Sequence, residues 1–257
     1  MSGLSVIVIT RNEEMNLPRC LLSVEFADEI VVVDSGSSDR TVEIAREHGA
    51  RVFSKAWEGY GKSKQHGLDR ARGDWILSID ADEVVQPELA MEIRTAIAGR
   101  SQYAGYFIPR KTEFLGRWIM HSGWYPDPVL RLFRRDSGRF SEDAVHESVV
   151  LQGSAGRLDH DLLHYSYPSL ENYFDKFNRY TSIAAREAYE RGRRAGVYDL
   201  VVRPAAKFIK QYVIKRGFLD GIEGLILAVL SSCYVMVKYA KLWHLARTGA
   251  PPQEIPE

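Results

Sequence analysis

Residues 72–83 read RGDWILSIDADE, and the fold follows from how that stretch is divided. Trp75 to Ile79 is apolar but for Ser78, too short for a globular helix, and it runs straight into Asp80, Asp82 and Glu83. An uninterrupted apolar run with polar punctuation at its end describes a strand buried on both faces, here 74–80. Two segments upstream have the same form. LSVIVIT (4–10) ends at Thr10-Arg11-Asn12-Glu13, and EIVVVD (29–34) ends at Asp34-Ser35-Gly36-Ser37-Ser38-Asp39. A shorter strand is expected at 51–53.

Helical patterns lie between these runs, at 14–24, 39–49, 61–71 and 87–98. The second opens on Asp39 as an N-cap, carries Glu43 in its first turn and stops at Gly49; the last opens on Pro87. Strand and helix alternating at this spacing predict a parallel sheet with right-handed crossovers. Ligands of such sheets bind beyond the carboxyl ends of the strands, where the three polar endings gather.

After Arg100 the pattern changes. Shorter strands are expected at 103–111, 129–135 and 144–151, among the aromatics Phe114, Trp118, Trp124 and Tyr125. From Ser169 onward the reading is helical, with Tyr173, Phe177, Tyr180 and Ala184 as a packing stripe. The expected organisation is a catalytic domain over 1–168, divided near residue 100, a helical extension over 169–247 and a loose Pro-rich tail over 248–257.

The 257 residues are 45% hydrophobic and 26% charged, a globular composition. Lys+Arg and Asp+Glu both count 34, so no global charge draws nucleic acid, and none is expected as a partner. Cys20 and Cys233 are too few for a disulfide framework or a cysteine-built zinc site. The first apolar run is too short for a signal peptide and lacks a basic start, which predicts a cytoplasmic chain. The charge is unevenly spread: residues 176–216 hold 11 Lys/Arg against Glu187, Glu190 and Asp199, a net of +8. Next comes GLILAVLSSCYVMV (224–237), fourteen residues without a charge, short of the ~20 that span a bilayer. It reads either as a buried core helix or, with the basic segment, as a surface lying on anionic lipid.

Several chemistries are disfavoured. No Gly-x-Gly-x-x-Gly follows the first strand, no phosphate-loop Gly-Lys-Ser/Thr motif occurs, and His146-Glu147 lacks the second histidine of a zincin. The Asp80-Ala81-Asp82 pair is the strongest positive signal. On an extended strand the two Cα atoms would lie about 6.6 Å apart, wide for joint chelation of one small cation. One carboxylate on Mg²⁺ or Mn²⁺ and the other on a sugar hydroxyl or metal-bound water suits that spacing.

SVIVITRNEE (5–14), VVVDSGSSDRT (31–41) and ARGDWILSIDADE (71–83), in this order and spacing, resemble a family-2 glycosyltransferase of the GT-A fold. GWYPDPVLRLFRR (123–135), AVHESV (144–149), LLHYSY (162–167) and DGIEGLILAVLSSCYVMVKYAKLW (220–243) resemble the bacterial lipopolysaccharide-core β-1,4-glucosyltransferase group. The resemblance covers 4–243 and implies an α/β fold with a mostly parallel central sheet and a C-terminal helical extension. It implies an inverting transfer of a hexose, glucose, from a UDP-sugar to a glycolipid or oligosaccharide acceptor, with a divalent metal. Thr10, Arg11 and Glu13 would line the nucleotide pocket, and Asp34 would contact the base, with Ser35 where many members carry a second acid. Lys64 and Arg72 would lie near the sugar nucleotide, or be solvated helix charges. Asp80 would bind ribose or sugar, Asp82 the metal, and Arg131 the diphosphate or acceptor unless it is a strand-edge charge. The base would come from Glu142-Asp143 or from Glu147, with Glu147 favoured and His146 orienting it or joining the metal site; His164 is a further candidate ligand, or a core histidine. The enzyme would sit peripherally at an anionic membrane surface on the cytoplasmic side. Transfer to a polyprenyl phosphate, and a non-catalytic sugar-nucleotide-binding role at the membrane, are the alternatives.

Overall fold

The computed structural model describes residues 3–99, 101–141, 148–167 and 169–249. The chain divides into two compact units, Met1–Lys111 with Pro126–Tyr165, and Thr112–Tyr125 with Ser166–Glu257.

The first unit is built outward from β1 (Leu4–Thr10), whose seven residues are all buried. It lies parallel between β2 (Glu29–Asp34) and β4 (Trp75–Asp80), and β3 (Arg51–Ser54) continues the parallel ladder beyond β2. Two covered faces and two paired edges are why LSVIVIT needs no alternation. The helices between are α1 (Leu17–Ser23), α2 (Thr41–Glu47) and α3 (Tyr60–Leu68). α4 (Pro87–Ala98) follows the short strand β5 (Glu83–Val85). Gly67 lets α3 lie close on β1: a Cβ there would come 2.4 Å from the Ile7 Cγ2 methyl.

The later strands make the sheet mixed. They are β6 (Gly105–Phe114), β7 (Arg117–Trp118), β8 (Asp127–Arg134), β9 (Gly138–Phe140), β10 (Val149–Leu151), β11 (Ala155–Arg157) and β12 (Leu162–Tyr167). The order is β3-β2-β1-β4-β8-β6-β12-β5, with β8 antiparallel to β4 and β6, and β12 antiparallel to β5. β9 and β10 form a separate hairpin.

Boundaries differ from expectation for local reasons. α1 starts at Leu17 rather than 14, with Pro18 in its first turn, where a missing N–H costs nothing. α2 starts at Thr41, yet the Asp39 carboxylate does accept the Thr41 N–H, at 3.0 Å. The expected strand at 144–151 is described only as Val149–Leu151.

The second unit is helical. α5 (Leu170–Glu190) is capped by Ser169, whose Oγ accepts the Asn172 N–H. α6 (Val197–Phe208) runs directly into a π-helical stretch, Ile209–Ile214, followed by a 3₁₀ turn, Gly217–Asp220, and α7 (Gly221–Thr248). Pro204 lies inside α6 and withholds a helical N–H; the Ser232 hydroxyl of α7 donates to its carbonyl at 2.8 Å. The apolar run 224–237 is thus the middle of a 28-residue helix, about 42 Å long. By length and composition this helix is long and apolar enough to cross a membrane, and 22% of its most apolar window is buried.

Two polar clamps hold this unit. Lys241 of α7 donates to the Asn178 carbonyl and side chain, Thr181 Oγ1 and Ser182 Oγ of α5, at 2.7–3.0 Å. Buried Asp220 accepts the backbone N–H groups of Met120 and His121 and faces His121 Nδ1, all at 3.0 Å. Phe114, Ile119, Tyr173 and Leu227 form the apolar centre beside them.

Candidate active site

The register of the ladder brings the polar strand ends together. Thr10 is the direct partner of Asp34, and Ile9 that of Asp80, so three carboxyl ends line one edge of the sheet.

At the first two ends the residues are laced. Asp34 is buried, and its carboxylate accepts the N–H groups of Gly36 and Ser37, at 3.0 and 3.1 Å, and the hydroxyls of Thr10 and Ser37. Asn12, held in the left-handed region at φ 55°, donates its N–H to Ser37 Oγ and accepts the Ser38 N–H. The Glu13 N–H reaches Thr41 Oγ1, and Glu14 exchanges bonds with Asp39 and Arg40. Arg11 is exposed and Glu13 half-buried at this rim. Asp34 therefore shapes the edge that would face a base; Asn12, Ser37 and Thr41 are the ties that the sequence reading did not assign.

At the third end sits a cluster of opposite charges. Asp80 Oδ1 pairs with Lys64 Nζ at 2.9 Å and Oδ2 with Arg131 Nη2 at 2.6 Å. The same Arg131 nitrogen lies 2.6 Å from Oε1 of Glu83, whose side chain is fully buried. Glu83 also accepts the Asp80 N–H, and Arg110 reaches it at 3.4 Å while pairing with Asp127 at 2.6 Å. Three carboxylates thus face three cations. Burial alone would raise the Asp80 pKa, but Arg131 and Lys64 outweigh it and hold the carboxyl well below its ordinary value. Arg131, opposed by burial, is in turn held fully protonated by Asp80 and Glu83. Beneath the cluster lies Cys20, with Sγ 3.6 Å from the Asp80 carbonyl. Burial first, and then Glu83, Asp82, Asp80 and Glu13, push its thiol pKa well up.

This cluster corrects two expectations. Lys64 and Arg131 are neither solvated nor strand-edge charges: both are buried and committed to carboxylates. Arg131 Nη2 meets both Asp80 and Glu83 and so orients the two carboxylates. A third correction concerns Arg72, which lies at the opposite end of β4, about 16 Å of strand away, with its N–H on Glu29. It does not join the other residues.

The spacing of Asp80 and Asp82 also changes. The strand ends at Asp80, and Ala81-Asp82 turn before β5, so the extended-strand separation does not apply. The turn carries Asp82 to the next strand pair, where its Oδ2 lies 3.5 Å from His164 Nε2 on β12. Among the described residues no group of three His, Cys, Asp or Glu side chains gathers as a cation cage. One carboxylate and one imidazole suit a divalent ion that takes its other ligands from phosphate oxygens and water. Adjacent ligands on an octahedral ion with ~2.1 Å bonds lie about 3.0 Å apart, so a half-ångström side-chain shift would bring these two donors, 3.5 Å apart, onto one ion. The residues present therefore fit such a metal.

Glu142, Asp143, His146 and Glu147 lie outside the described residues. Their flanks are fixed: Ser141 and Ser148 bond to each other at 2.9 and 3.1 Å, and the Phe140 N–H donates to Gln65 on α3, one residue from Lys64.

Residues 5–158 match the family model described as Glycosyl transferase family 2. The chain belongs to this family. The glycosyltransferase is 30% identical over 261 residues to the lipopolysaccharide core biosynthesis glycosyltransferase LpsC of Rhizobium meliloti, an alignment covering 97% of this chain and 95% of that one. It is 31% identical to an uncharacterized glycosyltransferase of Rickettsia typhi, over 96% of this chain and 88% of the relative. Among solved structures it is similar to S. aureus TarS 1-349 in complex with UDP-GlcNAc, at 16% identity, TM-score 0.47, 96% of this chain and 92% of that one. The GT-A expectation holds for this glycosyltransferase: an α/β fold, a sheet parallel through its nucleotide half, and a C-terminal helical extension.

Proposed function

We propose that this glycosyltransferase moves a hexose, glucose, from a UDP-sugar to a lipopolysaccharide-core or similar glycolipid acceptor, with inversion at the anomeric carbon, on the cytoplasmic side of a membrane. The observation that carries this reading is the pairing of Asp82 with His164 beside the neutralised Asp80 cluster, at the carboxyl edge of β1, β2 and β4. The relative LpsC, a lipopolysaccharide core biosynthesis glycosyltransferase, supports the acceptor class. Asp82 and His164 would hold Mg²⁺ or Mn²⁺, which when bound neutralises the charge of the UDP leaving group. Asp80, both oxygens already held by cations, would accept a ribose or sugar hydroxyl as a fixed group. The laced Asp34 edge, with Thr10, Arg11 and Glu13, would seat the nucleotide.

Inversion needs one carboxylate to take the acceptor hydroxyl's proton as the oxygen attacks and the UDP bond breaks. Glu147 is the assigned base and Asp143 the alternative. In the test, transfer from UDP-[¹⁴C]glucose to core glycolipid is measured for Glu147→Gln and Asp143→Asn. The expected result is a 10²–10⁴-fold lower turnover for Glu147→Gln at unchanged UDP affinity. Near-normal turnover for Glu147→Gln with an inactive Asp143→Asn would move the base to Asp143. A second reading, transfer to a polyprenyl phosphate, draws on the length and apolarity of α7. It predicts product formation on polyprenyl phosphate and none on core glycolipid.

A further inference from the structure

The segment 197–219 is folded inside out for water. Exposed positions recur in pairs every four residues, at 197/198, 201/202, 205/206, 209/210 and 213/214. Ala205, Ala206 and Lys210 apart, they carry large apolar side chains: Val197 is 78% exposed, Val201 61%, Ile209 52% and Ile214 67%. The 3₁₀ turn continues the stripe with Phe218 and Leu219, about half exposed. The opposite face buries Pro204, Gln211, Gly217 and Asp220, and the Gln211 amide has no hydrogen-bond partner among the described residues. A water-soluble helix has the reverse distribution. A contiguous apolar surface of this size marks something that covers it.

Charge selects the occupant. One acid, Asp199, lies in the segment, and Arg203 pairs with it. Lys207, Lys210, Lys215 and Arg216 remain, interleaved with the stripe. A second copy docked face to face would bring two such basic rims together, which is repulsive. An anionic bilayer meets both features at once, taking the apolar side chains among its acyl chains and the basic ones at its headgroups. The π-helical stretch serves the same geometry: its wider turn keeps the exposed pairs of 209/210 and 213/214 in line with those of α6.

We propose that α6, the π-helical stretch and the 3₁₀ turn form an in-plane docking surface for an anionic lipid bilayer, with Ile209, Val213, Ile214 and Phe218 entering the acyl boundary and Lys210, Lys215 and Arg216 at the headgroups. The observations belong to the helical unit alone, so the proposal stands whatever sugar or acceptor the catalytic unit uses.

The test is co-sedimentation of the full chain with phosphatidylglycerol-containing vesicles and with pure phosphatidylcholine vesicles, without donor or acceptor. The wild type is expected to prefer the anionic vesicles. Ile209→Glu with Val213→Glu should lower partitioning at least about tenfold on anionic vesicles. Lys210→Gln and Lys215→Gln should each lower it up to about fivefold there, and hardly at all on phosphatidylcholine. Circular dichroism and the milder pair Ile209→Ser, Val213→Ser separate lost docking from lost folding. Wild-type partitioning by the Glu pair, surviving carbonate, would overturn the proposal in favour of insertion of α7. Dimers in lipid-free buffer, abolished by the Glu pair, with equal binding of both proteins to vesicles would overturn it in favour of a second copy.

Discussion

The two units bury polar groups in opposite ways. In the first, six charged side chains from α3, β4, β5, β6 and β8 collect into one neutral cluster, and every carboxylate in it faces a cation. In the second, the buried carboxylate Asp220 is met by backbone N–H groups and a histidine, and the apolar side chains of 197–219 go outward. Charge pairing in the first unit fixes side chains for chemistry, at a desolvation cost that a purely structural core would avoid. Backbone satisfaction in the second fixes a turn.

The contrast can be broken most severely at Asp82. Asp82→Ala should lower transfer about 10²–10³-fold and abolish metal-dependent UDP binding in a calorimeter while leaving the unfolding midpoint nearly unchanged. Asp220→Ala should do the reverse, with a lowered midpoint and metal-dependent UDP binding intact. If both lose binding equally, the division of labour fails. Next is Arg131→Met. It leaves half-buried Asp80 beside buried Glu83 with one cation fewer, and about 2–4 kcal/mol of stability should be lost in urea unfolding. Loss below about 1 kcal/mol would mean that the cluster is wetter than its geometry.

Acid gives a smaller, graded version of the same break. The folded Asp80 pKa lies below its unfolded value, so its contribution is complete above the unfolded pKa, about 4, and is lost as pH falls through the folded one. Stability should therefore decline below about pH 4, less steeply in Arg131→Met, in urea titrations at stepped pH. The smallest effect belongs to the other unit. Lys241→Met removes the α5–α7 clamp, but its hydroxyl and amide partners re-bond to water or backbone, so about 1 kcal/mol is expected. Hydrogen exchange should localise it to α5 and α7.

The parallel half of the fold was readable because burial on both faces forces continuous apolar runs, as in 4–10, 29–34 and 75–80. β11 and β12 were not, since AGR and LLHYSY carry neither alternation nor a long apolar run. Thr10, Asp34, Asp80 and Asp82 were legible as strand-end residues. The partners of Asp80 were not: Lys64 and Arg131 sit on helix and strand patterns that predict exposure, and only three-dimensional register reveals the carboxylates they meet. Glu83 was visible as a neighbour of Asp82, but nothing in its spacing says that it faces two arginines. Arg72, placed near the sugar nucleotide by the resemblance, lies away from Asp80 because a strand carries its two ends apart. The charge-free run 224–237 understates the helix that holds it, because helix length is set by the polar residues flanking it as well.

Each unit holds one cysteine, and their surroundings differ. Cys20 is sealed beneath the acid cluster, its thiolate suppressed first by burial and then by the carboxylates, whereas Cys233 is half-buried on α7. Alkylating reagents attack the thiolate, so Cys20 can be labelled only in molecules whose acid cluster has come apart. Its alkylation rate is thus a clock for the opening of the catalytic edge, readable by mass spectrometry on the unmodified chain, with Cys233 as the internal reference. Donor and metal binding should slow that clock at Cys20 and leave the reference running.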